Sequence, residues 1–418
     1  MTDPDTTTTC WQMALARLAA YACGALLLTG CITPAARDAT PIGPAPTVTA
    51  ATPGPAAAIA PPAGRPPRQG RRRLAQPRSS TPDALLNRFR AARFGDVQAS
   101  GTVATASGGQ VHFTLRDAPA VQFPGWADSN SPAFWDGDEL VVFNSAFTPV
   151  RSSGSNLEDL RLDEPVQCLD CQRGGGRWME AIWRDPGSGL LYGWYHLEPD
   201  DLQCLTAPVI GAAVSDDGGR TWSDRGPVLE NGYPILCDYQ NGYFVGGNGD
   251  FTVVVDQQRY FYFLFSNYGG PTEEQGIAVA RGAFEGRGQP GTVFKYHQGG
   301  WNEPGLRGKV TPVFATPTGW AGPRVDAFWG PSAHWNVNIG KYVVVMNRTV
   351  GEEWEQEGVY LAVSDDLVNW GPPQKLMSTD QWYPQVFGLG PRGTDSLAGG
   401  VARLFVGGIS KYVLQFER

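Results

Sequence analysis

The chain has 418 residues, including 53 Gly, 34 Pro and 14 Trp, and only 18% of its residues are charged. Gly and Pro disfavour helix interiors, so this composition excludes a helical bundle, a coiled coil and a helical solenoid, and it favours short strands joined by tight turns. The 14 Trp, 14 Tyr and 19 Phe exclude disorder throughout and are ample for a large core.

The net charge of −8 is unevenly distributed. The first 31 residues contribute −1, and residues 32–82 carry seven Arg and one Asp, which leaves −13 for residues 83–418. Such an acidic body does not suit nucleic acid, whose phosphates bind basic surfaces. We therefore predict no nucleic-acid partner.

The N-terminus has the features of an export signal. Residues 18–28 form an apolar run of signal-peptide length that is too short to span a bilayer comfortably. The Leu-Thr-Gly-Cys phrase that ends at Cys31 resembles a bacterial lipobox, which implies lipidation of Cys31. We predict a lipoprotein signal peptide over residues 1–31, with a plain secretory peptide as the alternative. The protein would then be exported, and a lipid at Cys31 would be its one membrane contact.

The segment that follows is predicted to be a disordered linker. Residues 32–82 hold 12 of the 34 Pro, mixed with Ala, Thr and Arg and almost no large apolar side chains. Such a segment cannot bury enough apolar surface to fold, and its prolines make it a stiff, extended tether. The folded domain is therefore predicted over residues 83–418.

Four cysteines remain in the folded domain. In an exported protein they predict disulfides, although a Cys-x-x-Cys pair with two further cysteines is also a zinc pattern. Spacing alone does not give the pairing. The four residues are Cys168, Cys171, Cys204 and Cys237.

One layout recurs five times in this domain: a small or acidic start, an apolar strand, a turn with Asp or Gly, and an aromatic-rich strand. Repeats of antiparallel strands at this spacing are typical of the radial blades of a β-propeller. We predict an all-β, five-bladed propeller; six shorter blades would also fit the length. The five segments start at Asp128, Glu180, Gly249, Trp329 and Trp382.

Two hairpins carry a second repeated element. Residues 213–222 contain the Asp-box pattern Ser-x-Asp-x-Gly-x-Thr-Trp, and residues 362–370 contain a shorter relative, Ser-Asp-Asp-Leu-Val-Asn-Trp. We expect the Ser and Asp to accept backbone N–H bonds in the turn, while the Trp packs between blades.

The five-bladed layout, the blade-opening aspartates and the Ser-Asp-Asp-Leu-Val-Asn-Trp phrase resemble the glycoside hydrolases of families 43, 62 and 32. The Asp-Ser-Asn-Ser-Pro phrase that begins at Asp128 is also similar to the family 183 endo-D-arabinanases. The resemblance covers most of residues 95–418 as a pattern. It implies a hydrolase for a furanose-containing, arabinan-like polysaccharide.

Three carboxylates open corresponding strands of different blades and would converge on the central funnel. Inverting glycosidases need one carboxylate to activate water and one carboxylic acid to protonate the leaving oxygen. The family 43 pattern implies that Asp128 is the general base and Asp250 the orienting carboxylate. Its Glu-Gly-Pro acid is missing, since the phrase here is Trp-Gly-Pro at residues 329–331. Glu180 is our first choice for the acid, because it opens a blade.

Other acids and aromatic residues complete the candidate site. The reserve candidates for the acid are Asp326, Glu303 and His334. Trp faces stack on sugar rings, although packing between blades explains a Trp equally well. His196 would bind sugar hydroxyls or fill the core, and Arg348 would clamp substrate or pair with a buried acid. The candidate substrate-binding residues are Trp126, Asn130, Trp183, His196, Trp329, His334, Arg348 and Trp382.

The sequence therefore predicts a monomeric, exported glycoside hydrolase that cleaves a polysaccharide or oligosaccharide with inversion. The four His lack the spacing of a metal motif, so we predict no cofactor and no dedicated catalytic metal. A sialidase-like hydrolase, which needs an Arg triad and a Tyr nucleophile, is one alternative. A non-catalytic glycan-binding propeller is the other.

Overall fold

The computed structural model describes residues 93–352 and 354–418. The predicted signal peptide, Cys31 and the linker lie outside the described residues, as do residues 83–92 of the predicted domain. In the part that is described, no helix is long and apolar enough to cross a membrane.

The described chain is built from strands. Three strands come before the first blade: β1 (Phe94–Val97), β2 (Ser100–Ala104) and β3 (Gln110–Gln122). Blade one contains β4 (Ala133–Asp136), β5 (Glu139–Asn144), β6 (Val150–Gly154) and β7 (Arg161–Pro165). Blade two contains β8 (Gln167–Cys168), β9 (Gly176–Arg184), β10 (Leu191–Glu198), β11 (Val209–Ser215) and β12 (Thr221–Leu229).

Blade three contains β13 (Asn248–Asp256), β14 (Tyr260–Asn267), β15 (Gly276–Ala283), β16 (Val293–His297), β17 (Gly300–Pro304) and β18 (Phe314–Ala315). Short 3₁₀ turns span Thr272–Glu274 and Phe284–Gly286. Blade four contains β19 (Val325–Asn336), β20 (Lys341–Gly351), β21 (Glu355–Ser364) and β22 (Gln374–Thr379). The last strands are β23 (Pro384–Gly388), β24 (Leu397–Ala398), β25 (Val401–Val406) and β26 (Ile409–Glu417).

The strands form five separate sheets, and the prediction of a five-bladed β-propeller is confirmed. The innermost strands β4, β9, β13, β19 and β23 contact one another in sequence around the centre. The ring closes between blades five and one, where Gln385 exchanges hydrogen bonds of 2.8 and 3.1 Å with the backbone of Ser131.

Blade five joins the two ends of the described chain. Its strand order is β2-β3-β26-β25-β23, so β3 pairs antiparallel with the last strand, β26. The first strand, β1, pairs instead with the outer edge of blade four through β22. Hydrogen bonds between early and late strands therefore hold the ring shut.

The core is divided among the blade interfaces. Apolar clusters fill the gaps between consecutive blades, because the side chains of each strand alternate between the two faces of its sheet. Trp222 of blade two, for example, is 2% exposed and packs edge-on against Phe143 of blade one. A sixth cluster contains residues of β19 and of the loops between strands, and we call it the aromatic cluster. Its buried members are Phe244, Tyr268, Trp320, Val325, Ala327, Trp329 and Trp354.

The two repeated turns form the expected side-chain hydrogen bonds. In the first, Asp217 accepts the N–H groups of Arg220 and Thr221 at 2.9 and 3.0 Å, and the Trp222 indole donates to the carbonyl of Gly219 at 2.9 Å. In the second, Asp366 accepts the N–H groups of residues 368 and 369 at 3.0 and 2.7 Å. These bonds satisfy backbone groups that a tight turn would otherwise leave unpaired.

The four cysteines form two disulfides, Cys168–Cys171 and Cys204–Cys237. The zinc alternative is therefore not supported, since no thiolate remains in this set. The second bridge ties the loop before β11 to the loop after β12, across 33 residues of sequence.

We expect the Cys204→Ser, Cys237→Ser double variant to lose about 3–4 kcal/mol of unfolding free energy, since the bridge restricts a long loop in the unfolded chain. Urea unfolding followed by Trp fluorescence measures the change. The matched control is Cys168→Ser with Cys171→Ser, which opens a much shorter loop. An equal or larger loss in the control would contradict the loop-length argument.

Candidate active site

Glu180, His196 and Asp250 meet at the centre of the ring. They come from the neighbouring strands β9, β10 and β13, and they are 1%, 3% and 3% exposed. Nδ1 of His196 lies 3.4 Å from Oε1 of Glu180 and 3.6 Å from Oδ1 of Asp250. The structure thus brings together two of the predicted catalytic carboxylates and one predicted substrate-binding residue.

A backbone irregularity at Asp250 shapes this group. The register of β13 against β14 shifts between Gly249 and Phe251, and Asp250 has a φ of +37°, which is uncommon for a residue with a side chain. Its N–H donates to Nδ1 of His196 at 3.0 Å, and the next N–H, of Phe251, donates to Oε2 of Glu180 at 2.5 Å. A strained conformation of this kind persists where the surroundings enforce it, often at functional sites.

Gly249 is required for this arrangement. A Cβ added at Gly249 would lie 2.6 Å from Cε1 of His196. Since real Cβ atoms do not approach so closely, a larger residue would push the imidazole away from the two carboxylates. Gly249, the second residue of β13, therefore makes room for the histidine ring.

Two tyrosines that sequence reasoning missed complete the centre. The hydroxyl of Tyr268 donates to Oδ2 of Asp250. The pKa of the Tyr383 hydroxyl lies well above its usual range because of burial and then because of the charges of Asp250 and Asp128, with a smaller effect from Glu180. The charges of all three carboxylates predicted from the sequence thus act on the Tyr383 hydroxyl.

Asp128 lies in the loop before β4 and is half-buried. Its N–H donates to the carbonyl of Ser145 at 2.7 Å. Two residues later, Asn130 donates from Nδ2 to the carbonyls of Phe251 and Pro331, both at 2.8 Å. Asn130 therefore fastens the Asp128 loop to blades three and four, which is a structural task for a residue predicted to bind substrate.

The environment of Glu180 raises its affinity for a proton. Burial raises the pKa of Glu180 to about 7, and the charge of Asp250 adds to this, while His196 and the N–H of Phe251 oppose it. A large fraction of Glu180 is therefore protonated at neutral pH. Carboxylates in different environments can in this way take the separate roles of acid and base.

Two effects compete at His196. Burial opposes the imidazolium, but the carboxylates of Asp250 and Glu180 raise the pKa of His196 well above its usual range. The N–H of Asp250, in contrast, can donate only to an unprotonated Nδ1. The charge of the ring is therefore linked to this backbone hydrogen bond.

The predicted tryptophans fall into two groups. Trp183 packs edge-on against Phe261 and Phe284 between blades, and Trp329 is 1% exposed and donates to Thr349 Oγ1 at 2.6 Å. The rings of Trp183 and Trp329 therefore pack against other side chains of the protein. Trp382 is half-buried at the edge of the aromatic cluster, where it contacts Trp329. Trp126 is half-buried in the Asp128 loop.

The remaining candidates contact residues other than the three carboxylates. His334 is buried against Phe416, and burial lowers its pKa to about 3. Arg348 pairs with Asp326 at 3.2 Å, so each has a partner on the neighbouring strand. Glu303 lies on the outer strand β17 and accepts the N–H of residue 309 at 3.0 Å.

Glu180, His196 and Asp250 could in principle hold a metal ion, since one ligand atom from each lies within 4.8 Å of the others. The fit is poor in this conformation, because Nδ1 of His196 already accepts the N–H of Asp250. Ligation at Nδ1 would require this hydrogen bond to break.

No family model and no curated protein matches the sequence. Similar solved structures include an endo-arabinase from Bacteroides thetaiotaomicron, with 12% identity, a TM-score of 0.43, and coverage of 76% of this chain and 98% of that one. A thermostable family-43 glycoside hydrolase has 12% identity, a TM-score of 0.44, and coverage of 72% and 90%. An N-acetylgalactosamine deacetylase from F. plautii has 12% identity, a TM-score of 0.42, and coverage of 72% and 95%.

Proposed function

We propose that the chain is a glycoside hydrolase that cleaves a neutral, furanose-containing polysaccharide with inversion of the anomeric centre. Asp128 is the general base, Glu180 the general acid and Asp250 the orienting carboxylate. The observation that carries the proposal is the pair of buried carboxylates, Glu180 and Asp250, that meet at His196, with the pKa of Glu180 raised to about 7. The charge of Asp128 acts together with theirs on the Tyr383 hydroxyl.

In this mechanism Asp128 accepts a proton from a water molecule as the water oxygen attacks the anomeric carbon. The bond to the leaving oxygen breaks, and this oxygen takes the proton of Glu180. The side chain of Glu180 has no exposed surface in the substrate-free protein. Substrate binding must therefore open a path to it.

Asp250 supports the acid without contacting the leaving group. Its charge helps to raise the pKa of Glu180, and its position is fixed by the Tyr268 hydroxyl and by the backbone contact with His196. His196 is buried against both carboxylates, so it is a positioning residue here and not a partner for sugar hydroxyls.

A neutral substrate follows from the charges. The described partners of the two carboxylate groups are His196, Tyr268 and the N–H of Phe251, with no Arg or Lys among them. A sialidase-like site would need arginines there to bind the substrate carboxylate. The half-buried rings of Tyr243 and Trp382, which pack edge-on at 5.6 Å, offer the aromatic surface that sugars favour.

The function is tested by a screen against arabinans, fructans, xylans and cell-wall glycans. A proton NMR time course of the first product then tests the stereochemistry: we expect the configuration opposite to that of the substrate. A first product with the substrate's configuration would reject inversion. Binding without cleavage would favour the glycan-binding alternative.

We also propose that the protein is an exported lipoprotein, acylated at Cys31. Two disulfides in the folded domain support an oxidising compartment. The test is mass spectrometry of the membrane fraction, with Cys31→Ala as the variant. Equal membrane association of this variant would contradict the proposal.

A further inference from the structure

Blade three contains a buried lysine that is not part of the carboxylate site but is connected to it by hydrogen bonds. Lys295, on β16, is 1% exposed. Its ammonium donates to the carbonyls of Glu230 and Gly308, at 2.8 and 3.1 Å, and to Oδ1 of Asn248 at 3.1 Å. An ammonium has three N–H donors, and here they meet three acceptors.

Asn248 extends this connection to the chain segments that carry Asp250 and Tyr268. Nδ2 of Asn248 donates to Oδ1 of Asn267 at 2.8 Å, and the two residues face each other in the register of β13 and β14. Asn248 is two residues before Asp250, and Asn267 directly precedes Tyr268, whose hydroxyl donates to Asp250. The two segments that meet at Asp250 thus share a support.

Two further hydrogen bonds, both made by Asn267, strengthen the same support. Asn267 donates from Nδ2 to the carbonyl of Glu274 at 2.6 Å, and Asn231 donates to Oδ1 of Asn267 at 2.8 Å. Asn231 directly follows Glu230, whose carbonyl accepts from Lys295. The lysine therefore holds the loop after β12 and the start of β13 together.

We propose that Lys295 is a positioning residue for the reaction: its ammonium, through Asn248 and Asn267, holds Asp250 and Tyr268 in their catalytic arrangement. This inference rests on the proposed function. A neutral amine has two N–H donors, so loss of the proton would leave one of the three buried acceptors unpaired and loosen the support.

The carboxylates of Glu230, Glu274 and Glu303 act on Lys295. They lie in the loop after β12, in the 3₁₀ turn before β15 and on β17, respectively. Burial lowers the pKa of Lys295 to about 7, although these carboxylates act in the opposite direction. The ammonium is thus present below about pH 7 and is lost as the pH rises through this value.

The test is Lys295→Met, which keeps the length of the side chain and removes its donors. We expect kcat to fall about 10- to 100-fold with KM unchanged within about twofold, because displaced catalytic groups lower turnover more than binding. The matched control is Lys309→Met, at an exposed lysine of the nearby loop. Equal kcat values for the two variants would overturn the inference.

The pH profile separates positioning from a general loss of stability. In the wild type, Glu180 and Lys295 must both be protonated, so log kcat should fall with a slope approaching −2 above about pH 7. In Lys295→Met the slope should be −1, from Glu180 alone. An unchanged slope would overturn the inference. Asn248→Ala breaks the same connection with a smaller change, and it replaces Lys295→Met if that variant does not fold.

An activity-free measurement distinguishes this inference from the proposed function. If the wild type cleaves no glycan, the proposed function fails, and the support is tested by a double-mutant cycle of Asn248→Ala and Tyr268→Phe in urea unfolding. Non-additive losses of stability are the expected result, because the two residues share one network. Additive losses would overturn the inference about the support itself.

Discussion

Glu180→Gln is expected to lower kcat about 10³-fold, because the amide cannot give a proton to the leaving oxygen. The fold should be retained, since Gln has nearly the same shape and can still accept the N–H of Phe251. Activity on the cleaved glycan and circular dichroism measure the two outcomes. The matched control is Glu285→Gln, at an exposed glutamate in the 3₁₀ turn after β15.

The pH dependence gives the same variant a second test. The carboxyl of Glu180 has a raised pKa of about 7, so the protonated acid is present below this pH and activity falls as the pH rises through it. The stabilising contribution of this proton to folding is likewise present at low pH and is lost between about 4.5 and 7. In Glu180→Gln, the decrease of log kcat that is due to Glu180 should vanish. Above about pH 7, log kcat should then fall with the slope of −1 that we assign to Lys295. A residual slope of −2 would reject Glu180 as the acid.

The second large effect is expected for Asp128→Asn, which should also lose about 10³-fold in kcat, because the amide cannot accept a proton from water. Asp128 is half-buried, so the loss of stability should be small. Sodium azide needs no base to attack, and it should restore turnover and yield a glycosyl azide of inverted configuration. The matched control is Asp96→Asn, at an exposed aspartate of the edge strand β1.

Full activity of Asp128→Asn would remove Asp128 from the mechanism. Inactivity that azide does not relieve, together with loss of substrate binding in calorimetry, would assign Asp128 to binding and not to base catalysis. The azide experiment therefore separates the two roles of one carboxylate.

The propeller could be predicted from the sequence because its determinants are local. A hairpin requires alternating strands and a suitable turn, and both are visible over about 15 residues. The first hairpin illustrates this: the recurring layout predicts a turn with Asp or Gly after the first strand, and Gly137 and Asp138 form the turn between β4 and β5. Gly137 has the φ of +60° that such turns need. The number of blades followed from the number of hairpins.

The site was only partly predictable because much of it depends on contacts between distant residues. Asp250 and Glu180 could be proposed, since the sequence predicts that each lies on the inner strand of its blade. The expected position was correct only for Asp250, which is near the start of β13, whereas Glu180 lies in the middle of β9. The position of Tyr383 could not be predicted, since Tyr383 is between 133 and 255 residues along the chain from the three carboxylates and meets them only when the ring closes. A left-handed φ of +62° at Tyr383 is likewise invisible in a sequence that offers no Gly there.

The aromatic residues show a second limit of sequence reasoning. Trp329 and Trp382 both lie near blade starts, and both suit a sugar platform or an interblade contact. The structure separates them by burial: the indole of Trp329 donates to Thr349, whereas Trp382 remains half-buried. The composition of the sequence and the spacing of its tryptophans are the same whether an indole ring is enclosed or lies at the surface.

The pairing of β3 with β26 has a consequence for how the protein is made. Because β3 pairs with β26, which is synthesised much later, blade five cannot form until Ile409–Glu417 has been made and exported. Contacts between such distant segments also slow folding, since their loop-closure entropy must be overcome first. A chain that stopped before Ile409 would leave an edge of β3 unpaired and prone to aggregation. A stop codon at Ile409 should therefore act as a null allele, although it leaves every proposed catalytic residue intact.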